Sequence, residues 1–431
     1  MTHDIVVLGA GPAGSVVARR LAAAGLRVAL VGAAPRPGWE GLSVRSRALL
    51  AEEGLEGQAT FISGPYRRCG TWAGGRSVEG VEWLVERSQL ADALRAQAQA
   101  AGADAHRCAA AGATQVDGQW RVCLRAGGAL EAPLLVDARG RRGAQCRGPL
   151  LLAVGRRFRR SGSGAPGTHI HATDFGWCWW AQRERALWVQ VVAPARSSHP
   201  AGWCAAAAAQ VPALALALDG ASPEGDPIAR PAHARLGVSG IDPTRWRVGD
   251  AAMALDPLSG QGVYEALRGA RVVATAIRST LEGGNALLAQ RFVAERYEAA
   301  WERGVRAAAG LYRENADRGG FWAETAAAYA ALEPARAPFA PRIERRPVLH
   351  DGRIVERDVV VTPENPRGIW RVAEVPVAEL KRHFESVERP SIAGAALAFR
   401  RPQAAVAAAI RWLHRTGAMP RHDAPFAVSG G

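Results

Sequence analysis

An α/β fold in two interleaved parts, with a small α+β extension at the C-terminus, is predicted by three observations. Residues 5–31 read as strand, glycine-rich turn, helix and strand. Two later apolar runs, 134–137 and 246–248, each end in an Asp- and Gly-containing turn. Residues 151–245 then lose the helical pattern and gather tryptophans, and the chain beyond 348 opens as a hairpin and continues as helix.

Ile5–Leu8 is an apolar run of the kind buried on both faces of a parallel sheet. Gly9, Gly11 and Gly14 follow as G-x-G-x-x-G, helix is expected from Ser15 to Ala24, Gly25 stops it, and Leu26–Val31 returns as strand. Each glycine has a mechanical role. Gly9 permits the tight turn, Gly11 lets a pyrophosphate approach the backbone, and Gly14 lets the helix lie against the sheet. The helix N-terminus then faces the phosphates. The acid that usually meets a ribose at the end of the second strand is missing. Gly32 and Ala33 stand there, and Glu40, the nearest acid, is not assigned to the ribose.

Residues 34–41 read as a turn, and Ser43–Glu53 as a helix with Arg45 in its first turn and Gly54 at its end. Residues 63–80 suggest short strands and loops. Trp83–Val85 is a strand, and E-R-S-Q-L begins a helix ended by Gly102. Strand-like pieces follow at 105–109, 114–116 and 120–124, then Leu134–Asp137 running into D-A-R-G-R-R-G. Within 151–245 short strands and loops are expected, and a helix over Gly202–Leu218 that Pro212 should split. Trp246–Val248 leads into G-D-A-A-M-A-L-D-P-L-S-G-Q-G, then helix over Val263–Leu281 and from Ala286 to about Leu332. Residues 333–347 look like a linker, and Asp351-Gly352 marks a hairpin turn before helix to about Thr416.

Composition narrows the function. No stretch of eighteen apolar residues occurs, so no membrane span is expected, and no basic-plus-apolar leader is visible, which makes a cytoplasmic location the expectation. The six cysteines are scattered, the nearest pair fifteen residues apart, so reduced thiols and no metal site are expected. The net charge of +14 is almost wholly arginine and favours an acidic partner. The run R-R-F-R-R, Arg156–Arg160, reads as a solvated face leading into a flexible loop, and no nucleic-acid module accompanies it.

The motifs G-A-G-P-A-G, V-D-A-R-G-R-R-G (Val136–Gly143) and G-D-A-A-M-A-L-D-P-L-S-G-Q-G (Gly249–Gly262), in this order, resemble those of the FAD-dependent aromatic hydroxylase superfamily. That superfamily has the para-hydroxybenzoate hydroxylase fold and includes geranylgeranyl reductases and flavin-dependent halogenases. The resemblance covers about residues 1–330. It implies a Rossmann-like FAD-binding domain (1–150 and 246–332), with substrate-domain strands around 63–85 interleaved. It further implies a β-rich substrate domain (151–245) and leaves 348–431 as a C-terminal domain. It implies FAD contacts at Gly9, Gly11, Pro12, Ala13 and Gly14, at Arg45 and Arg87, at Asp250, and at Pro257, Gly260, Gln261 and Gly262.

The resemblance also implies monooxygenation of an aromatic ring through a C4a-hydroperoxyflavin, with NADPH or NADH as reductant, directly or through a reductase. No side chain is assigned as catalytic. The D-A-R-G variant of the usual D-G motif bears on direct NAD(P)H handling. Halogenases use an active-site lysine, and Lys381, the only lysine, lies outside the matching region, so halogenation is not expected. The W-x-W of Gly176–Trp180 offers Trp177 and Trp179 as candidates beside the substrate pocket. Size, motifs and the C-terminal extension are most similar to the flavoprotein monooxygenases of quinohemoprotein amine dehydrogenase maturation. These hydroxylate a tryptophan in the crosslinked γ-subunit peptide. The expected partner is therefore a peptide or protein. A small-molecule aromatic hydroxylase, a geranylgeranyl-reductase-like flavoenzyme and a non-catalytic FAD- or nucleic-acid-binding protein are the rival readings.

Overall fold

The computed structural model describes residues 3–35, 37–55, 59–75, 77, 79–141, 148–197, 200–237, 242–334 and 338–420. Arg142 and Gly143 of the second motif, and Cys146, lie outside them. The chain forms two compact units, one of 1–274 and 296–334, the other of 275–295 and 335–431.

The first unit opens with β1 (Ile5–Leu8), α1 (Pro12–Ala22), β2 (Val28–Val31), β3 (Trp39–Leu42) and α2 (Val44–Leu50). Next come β4 (Ile62–Thr71), β5 (Gly80–Glu86), α3 (Arg87–Ala100), β6 (Asp104–His106), β7 (Ala110–Val116), β8 (Gln119–Leu124), β9 (Ala129–Ala132) and β10 (Leu134–Asp137). The middle of the chain carries β11 (Leu151–Thr173), β12 (Gly176–Pro194), α4 (Trp203–Gln210), α5 (Pro212–Leu218), β13 (Ala221–Pro231), β14 (Arg235–Leu236), β15 (Arg245–Arg247) and β16 (Met253–Ala254). The division between the units falls within α6 (Gly262–Leu281) and α7 (Ala286–Arg313), and α8 (Gly320–Ala330) returns to the first unit.

A five-stranded parallel sheet of order β15-β10-β1-β2-β6 holds the nucleotide-binding topology. Every residue of β1, β2 and β10 is buried, as apolar runs in parallel sheets demand. α1 begins at Pro12, three residues before the expected start, because proline fits the first helical position, where no amide donor is needed. Gly25, at φ +86°, ends this segment.

The second sheet runs β12-β11-β4-β5-β3, with β13 also on β11. Several expectations are corrected here. The turn of 34–41 is shorter, because Trp39–Leu42 pairs with β5 as a strand. Residues 63–80 and 151–245 hold long strands: β4 has 10 residues, β11 has 23 and β12 has 19. β11 and β12 pair from Leu151↔Pro194 to Thr173↔Gly176, with the register shifting around Arg159–Gly167. The Ser/Gly tract is thus absorbed as bulges within a hairpin. The R-R-F-R-R run is strand, not a solvated face leading into a loop. Phe158 turns into the core, while Arg157 pairs with Glu86 and Glu224, and Arg159 with Glu224. Alternation along the strand puts Phe158 on the face opposite Arg157 and Arg159.

One face of this sheet packs on α4 and α5. Val154, Phe158, Cys178, Trp180, Leu187 and Val189 meet Trp203, Ala207, Val211 and Leu214. Pro212 splits the two helices as expected. Burial lifts the Cys178 thiol to about 12 and the Cys204 thiol to about 11. The five described cysteines are free. Among the described residues no single helix is long and apolar enough to cross a membrane.

The long helix expected from Ala286 is broken at 314–319, where Gly319 adopts φ +145° before α8.

In the second unit the linker expected over 333–347 is partly strand. β17 (Arg342–His350) pairs along its length with β18 (Arg353–Val361). Asp351 and Gly352 take φ +47° and +77°, the positive values that a two-residue hairpin turn requires. A second small hairpin, β19 (Arg371–Val372) and β20 (Val375–Pro376), precedes α9 (Val377–Ser386), α10 (Ile392–Phe399) and α11 (Gln403–Arg415). Val360, Leu380, Phe384, Ile410 and Leu413 share this unit's core. Lys381 sits here on α9 and pairs with Glu385.

Candidate active site

The three sequence motifs meet at the carboxyl ends of β1, β10 and β15, where ligands bind in open parallel sheets. Gly9 has φ +111°, and a methyl group there would lie 2.2 Å from the Ala138 carbonyl oxygen of the second motif. One at Gly14 would lie 1.9 Å from Gly9 O. Gly249, at φ +59°, packs on α1, where a methyl group would come within 2.7 Å of Ala13 Cβ. These contacts leave no room for side chains. Gly11 is different, because a methyl group there meets no described protein atom within 4 Å. It caps α1, whose first turn has no side-chain cap, so free amides face that open space.

The second motif holds itself together. Asp137 accepts from Arg139 Nε at 2.9 Å and Nη2 at 2.7 Å, and from Arg245 Nη2 at 3.2 Å. Burial pushes the Asp137 carboxyl up, but these guanidinium groups pull harder and hold it below its usual value. Its folded value is lowered, so its contribution to stability is present above the ordinary aspartate value of 3.8 and is lost as pH falls through the folded value. Asp137→Asn is expected to cost about 2 kcal/mol near neutrality, less than a wholly buried pair because both arginines reach solvent. Denaturant melts of the two proteins should converge below pH 3.8.

Arg141 ties the second motif to the third. Its Nε donates to Asp250 at 3.2 Å, its Nη1 to His233 O at 2.6 Å and its Nη2 to Leu255 O at 3.3 Å. Asp250 lies in a single helical turn after β15, with its carboxylate partly engaged by Arg141.

The segment before α6 is built as a helix start. Asp256 caps the amide of Leu258 at 2.9 Å, Pro257–Ser259 forms one turn, and Gly260 is left-handed at φ +62°. A methyl group at Gly262 would meet nothing within 4 Å, so the N-terminus of the twenty-residue α6 is open. Arg45 lies over the Tyr264 ring of α6, 4.0 Å from its centroid, and donates to the Tyr264 hydroxyl. Arg87 opens α3 and pairs with Glu40.

Several residues at this site carried no sequence signal. Arg95 is buried at the end of β2, and its Nη2 donates to Gly32 O at 3.2 Å and Ala33 O at 3.4 Å. An arginine thus stands where the acid was sought. Asp256, a member of the third motif, is 3% exposed and accepts from Tyr329 Oη at 2.6 Å and Tyr312 Oη at 3.1 Å. Trp177 Nε1 meets Tyr312 Oη at 3.2 Å. Trp177 is buried, and Trp179, two residues along the same face, is half-buried. Trp39, Leu84, Ala181 and Trp188 form the cluster against which Trp179 packs. A flat aromatic wall is thereby hydrogen-bonded, through Tyr312 and Asp256, to the loop that starts α6.

No group of three or more His, Cys, Asp or Glu among the described residues could hold a metal.

The sequence model described as lycopene cyclase protein matches residues 4–156. A search of curated protein sequences finds no match. Among solved structures, the peptidyl tryptophan dihydroxylase QhpG, essential for tryptophylquinone cofactor biogenesis, is 30% identical with a TM-score of 0.83. The match covers 97% of this chain and 100% of QhpG. The myxobacterial chondrochloren halogenase CndH, an FAD-dependent halogenase, is 22% identical, with a TM-score of 0.65, over 75% of this chain and 86% of its own. Aklavinone-11 hydroxylase, solved with FAD and aklavinone, is 24% identical, with a TM-score of 0.59, over 73% of this chain and 69% of its own. These last two share the fold.

Proposed function

The chain belongs to the family of the peptidyl tryptophan dihydroxylase QhpG, and from that premise we propose that it hydroxylates the ring of a tryptophan side chain within a peptide. It is a flavin-dependent monooxygenase with FAD as cofactor. The observation that carries the substrate reading is the end-to-end match, which covers 97% of this chain and 100% of QhpG, against 75% and 73% of this chain for the halogenase and the hydroxylase. The further reading, a tryptophan in the crosslinked γ-subunit peptide of quinohemoprotein amine dehydrogenase, is supported by the net charge of +14, which suits a peptide or protein partner better than a small apolar ring.

The residues present fit FAD. Gly9 and Gly14 make the turn compact, and Gly11, followed by Pro12 and Ala13 in the first turn of α1, leaves open space at that helix N-terminus for a pyrophosphate. Asp250 has a partly exposed carboxylate that can accept from a ribityl hydroxyl. Pro257, Gly260, Gln261 and Gly262 present the α6 amides to the ring system, where a helix N-terminus favours negative charge. Arg45, stacked on Tyr264 of α6, and Arg87, paired with Glu40, are the arginines this reading offers to the FAD. FAD, once bound and reduced by NADPH or NADH directly or through a reductase, supplies the activated oxygen. The protein's part is to orient an indole on the tryptophan-lined sheet face and to keep water from it.

The test uses the FAD-loaded protein. It is reduced anaerobically by NADPH or NADH, with dithionite as the control for a reductase-dependent enzyme, then mixed with air and the crosslinked γ-subunit peptide. A peptide heavier by one or two oxygen atoms on tryptophan is expected. Reoxidation with the peptide unchanged, while a small aromatic substrate is hydroxylated, would overturn the peptide reading.

A further inference from the structure

Glu82 is a carboxylate in an unusual place. It lies in β5, the fourth strand along the second sheet, and is 9% exposed. Its Oε2 is buried and makes no hydrogen bond of good geometry among the described residues, although the Thr168 hydroxyl and Trp179 face the carboxylate. Leaving a buried polar atom unmatched costs about 1–3 kcal/mol, so such an atom in a native fold calls for a reason. The neighbouring strand makes room for the carboxylate. A methyl group at Gly41 of β3 would lie 2.1 Å from Glu82 Oε1. The carboxylate therefore occupies the space that a side chain at 41 would need, and a larger residue there would displace it.

Its surroundings point to a ligand. Glu82 shares its face of β5 with Leu84, which belongs to the cluster of Trp39, Ala181 and Trp188 on which Trp179 packs. Trp177, on the same face as Trp179, carries the hydrogen-bond chain through Tyr312 to Asp256 and the start of α6. A carboxylate acceptor at the border of a tryptophan-lined face suits an indole, which has one N–H and two apolar faces.

We propose that Glu82 accepts the indole N–H of the substrate tryptophan and takes its proton during oxygen transfer. This rests on the tryptophan reading above. As an electron pair of the ring forms the new C–O bond, positive charge develops on the indole nitrogen. The N–H bond breaks, its electrons stay on nitrogen, and the proton passes to the Glu82 carboxylate. The attacked carbon then loses its own proton to water, and Glu82 returns its proton to nitrogen. Dioxygen is the oxidant, its second atom leaves as water, and reduced flavin supplies the two electrons.

The groups facing Glu82 are Arg68 from β4, Glu40 from β3, and the neutral donors Thr168 from β11 and Trp179 from β12. Burial raises the carboxyl's pKa against the pull of Thr168, Arg68 and Trp179. That brings a base closer to the pH at which it works.

The experiment compares FAD-loaded wild-type enzyme with Glu82→Gln and Glu82→Asp. FAD content and binding of the tryptophan peptide to the oxidised holoenzyme are read separately from product formation. E82Q is expected to keep FAD and peptide binding while hydroxylation falls roughly 100-fold. The acid limb of the rate profile should vanish in E82Q, and E82D should recover part of the rate. Wild-type hydroxylation by E82Q with its acid limb intact would overturn the proposal. So would loss of FAD or peptide binding in both variants, which would make Glu82 a structural residue. A wild-type holoenzyme that binds FAD but leaves the tryptophan peptide unhydroxylated would overturn the substrate reading, and this one with it.

Discussion

Gly9→Ala is expected to yield protein that no longer retains FAD. The backbone at Gly9 has φ +111°, outside even the left-handed well that other residues visit, and the new methyl group would meet Ala138 O at 2.2 Å. Strain of this kind costs about 1–3 kcal/mol, and the contact adds to it because the obstacle is backbone. Moving β1 off β10 relieves both and opens the cradle, so FAD affinity should fall by roughly 100-fold. Gly11→Ala is the informative partner. Its backbone is extended and no described protein atom lies within 4 Å of the added methyl group. Unfolding of the apoprotein should therefore shift by no more than about 0.5 kcal/mol, while FAD binding is lost. Flavin titration and denaturant melts read the two effects apart. FAD affinity left intact in G11A would remove the pyrophosphate from this turn.

Asp256→Ala should cost the fold about 3–5 kcal/mol. The carboxylate is buried, and its loss orphans three donors: the hydroxyls of Tyr312 and Tyr329 and the amide of Leu258. Each buried orphan costs about 1–3 kcal/mol, with some relief by water in the space vacated. The same change should loosen the start of α6 and the link to Trp177. Asp256→Asn keeps an acceptor and separates charge from hydrogen bonding. Burial raises the Asp256 carboxyl above its ordinary value. With a raised folded value, its stabilising contribution is whole below 3.8 and is lost as pH rises through the folded value. The stability of wild type relative to D256N should accordingly decline as pH climbs through that window. A difference that grows with pH would mean that the carboxylate is held charged.

Some of this molecule is written locally. The extents of β1 and β10, the break at Pro212, the hairpin at Asp351-Gly352 and the start of α6 after Gly260 were all legible. Each depends on residues within a few positions: an apolar run, a proline without a donor, a glycine free to take positive φ. The family motifs were legible for the same reason, since G-x-G-x-x-G needs only its own turn and helix. The flavin-side candidates could be named from sequence because each sits beside such a turn.

What only the tertiary structure decided are the meetings between distant residues. Ala138 closes on Gly9, Gly249 on Ala13, and Tyr312 and Tyr329 on Asp256. The long β11–β12 hairpin was read as short pieces because its bulged, Ser/Gly-rich stretch breaks the alternation that marks a strand, and only pairing across strands restores it. Glu82 stands in G-V-E-W-L-V-E, an alternation that would ordinarily put a glutamate on a solvated face. Its burial comes from strands and tryptophans more than eighty residues away along the chain, such as Thr168 and Trp179, and from the missing side chain at Gly41. Local pattern fixes which elements form, because backbone conformation and periodicity are properties of neighbours in sequence. Which polar group is left buried and unmatched is a property of neighbours in space.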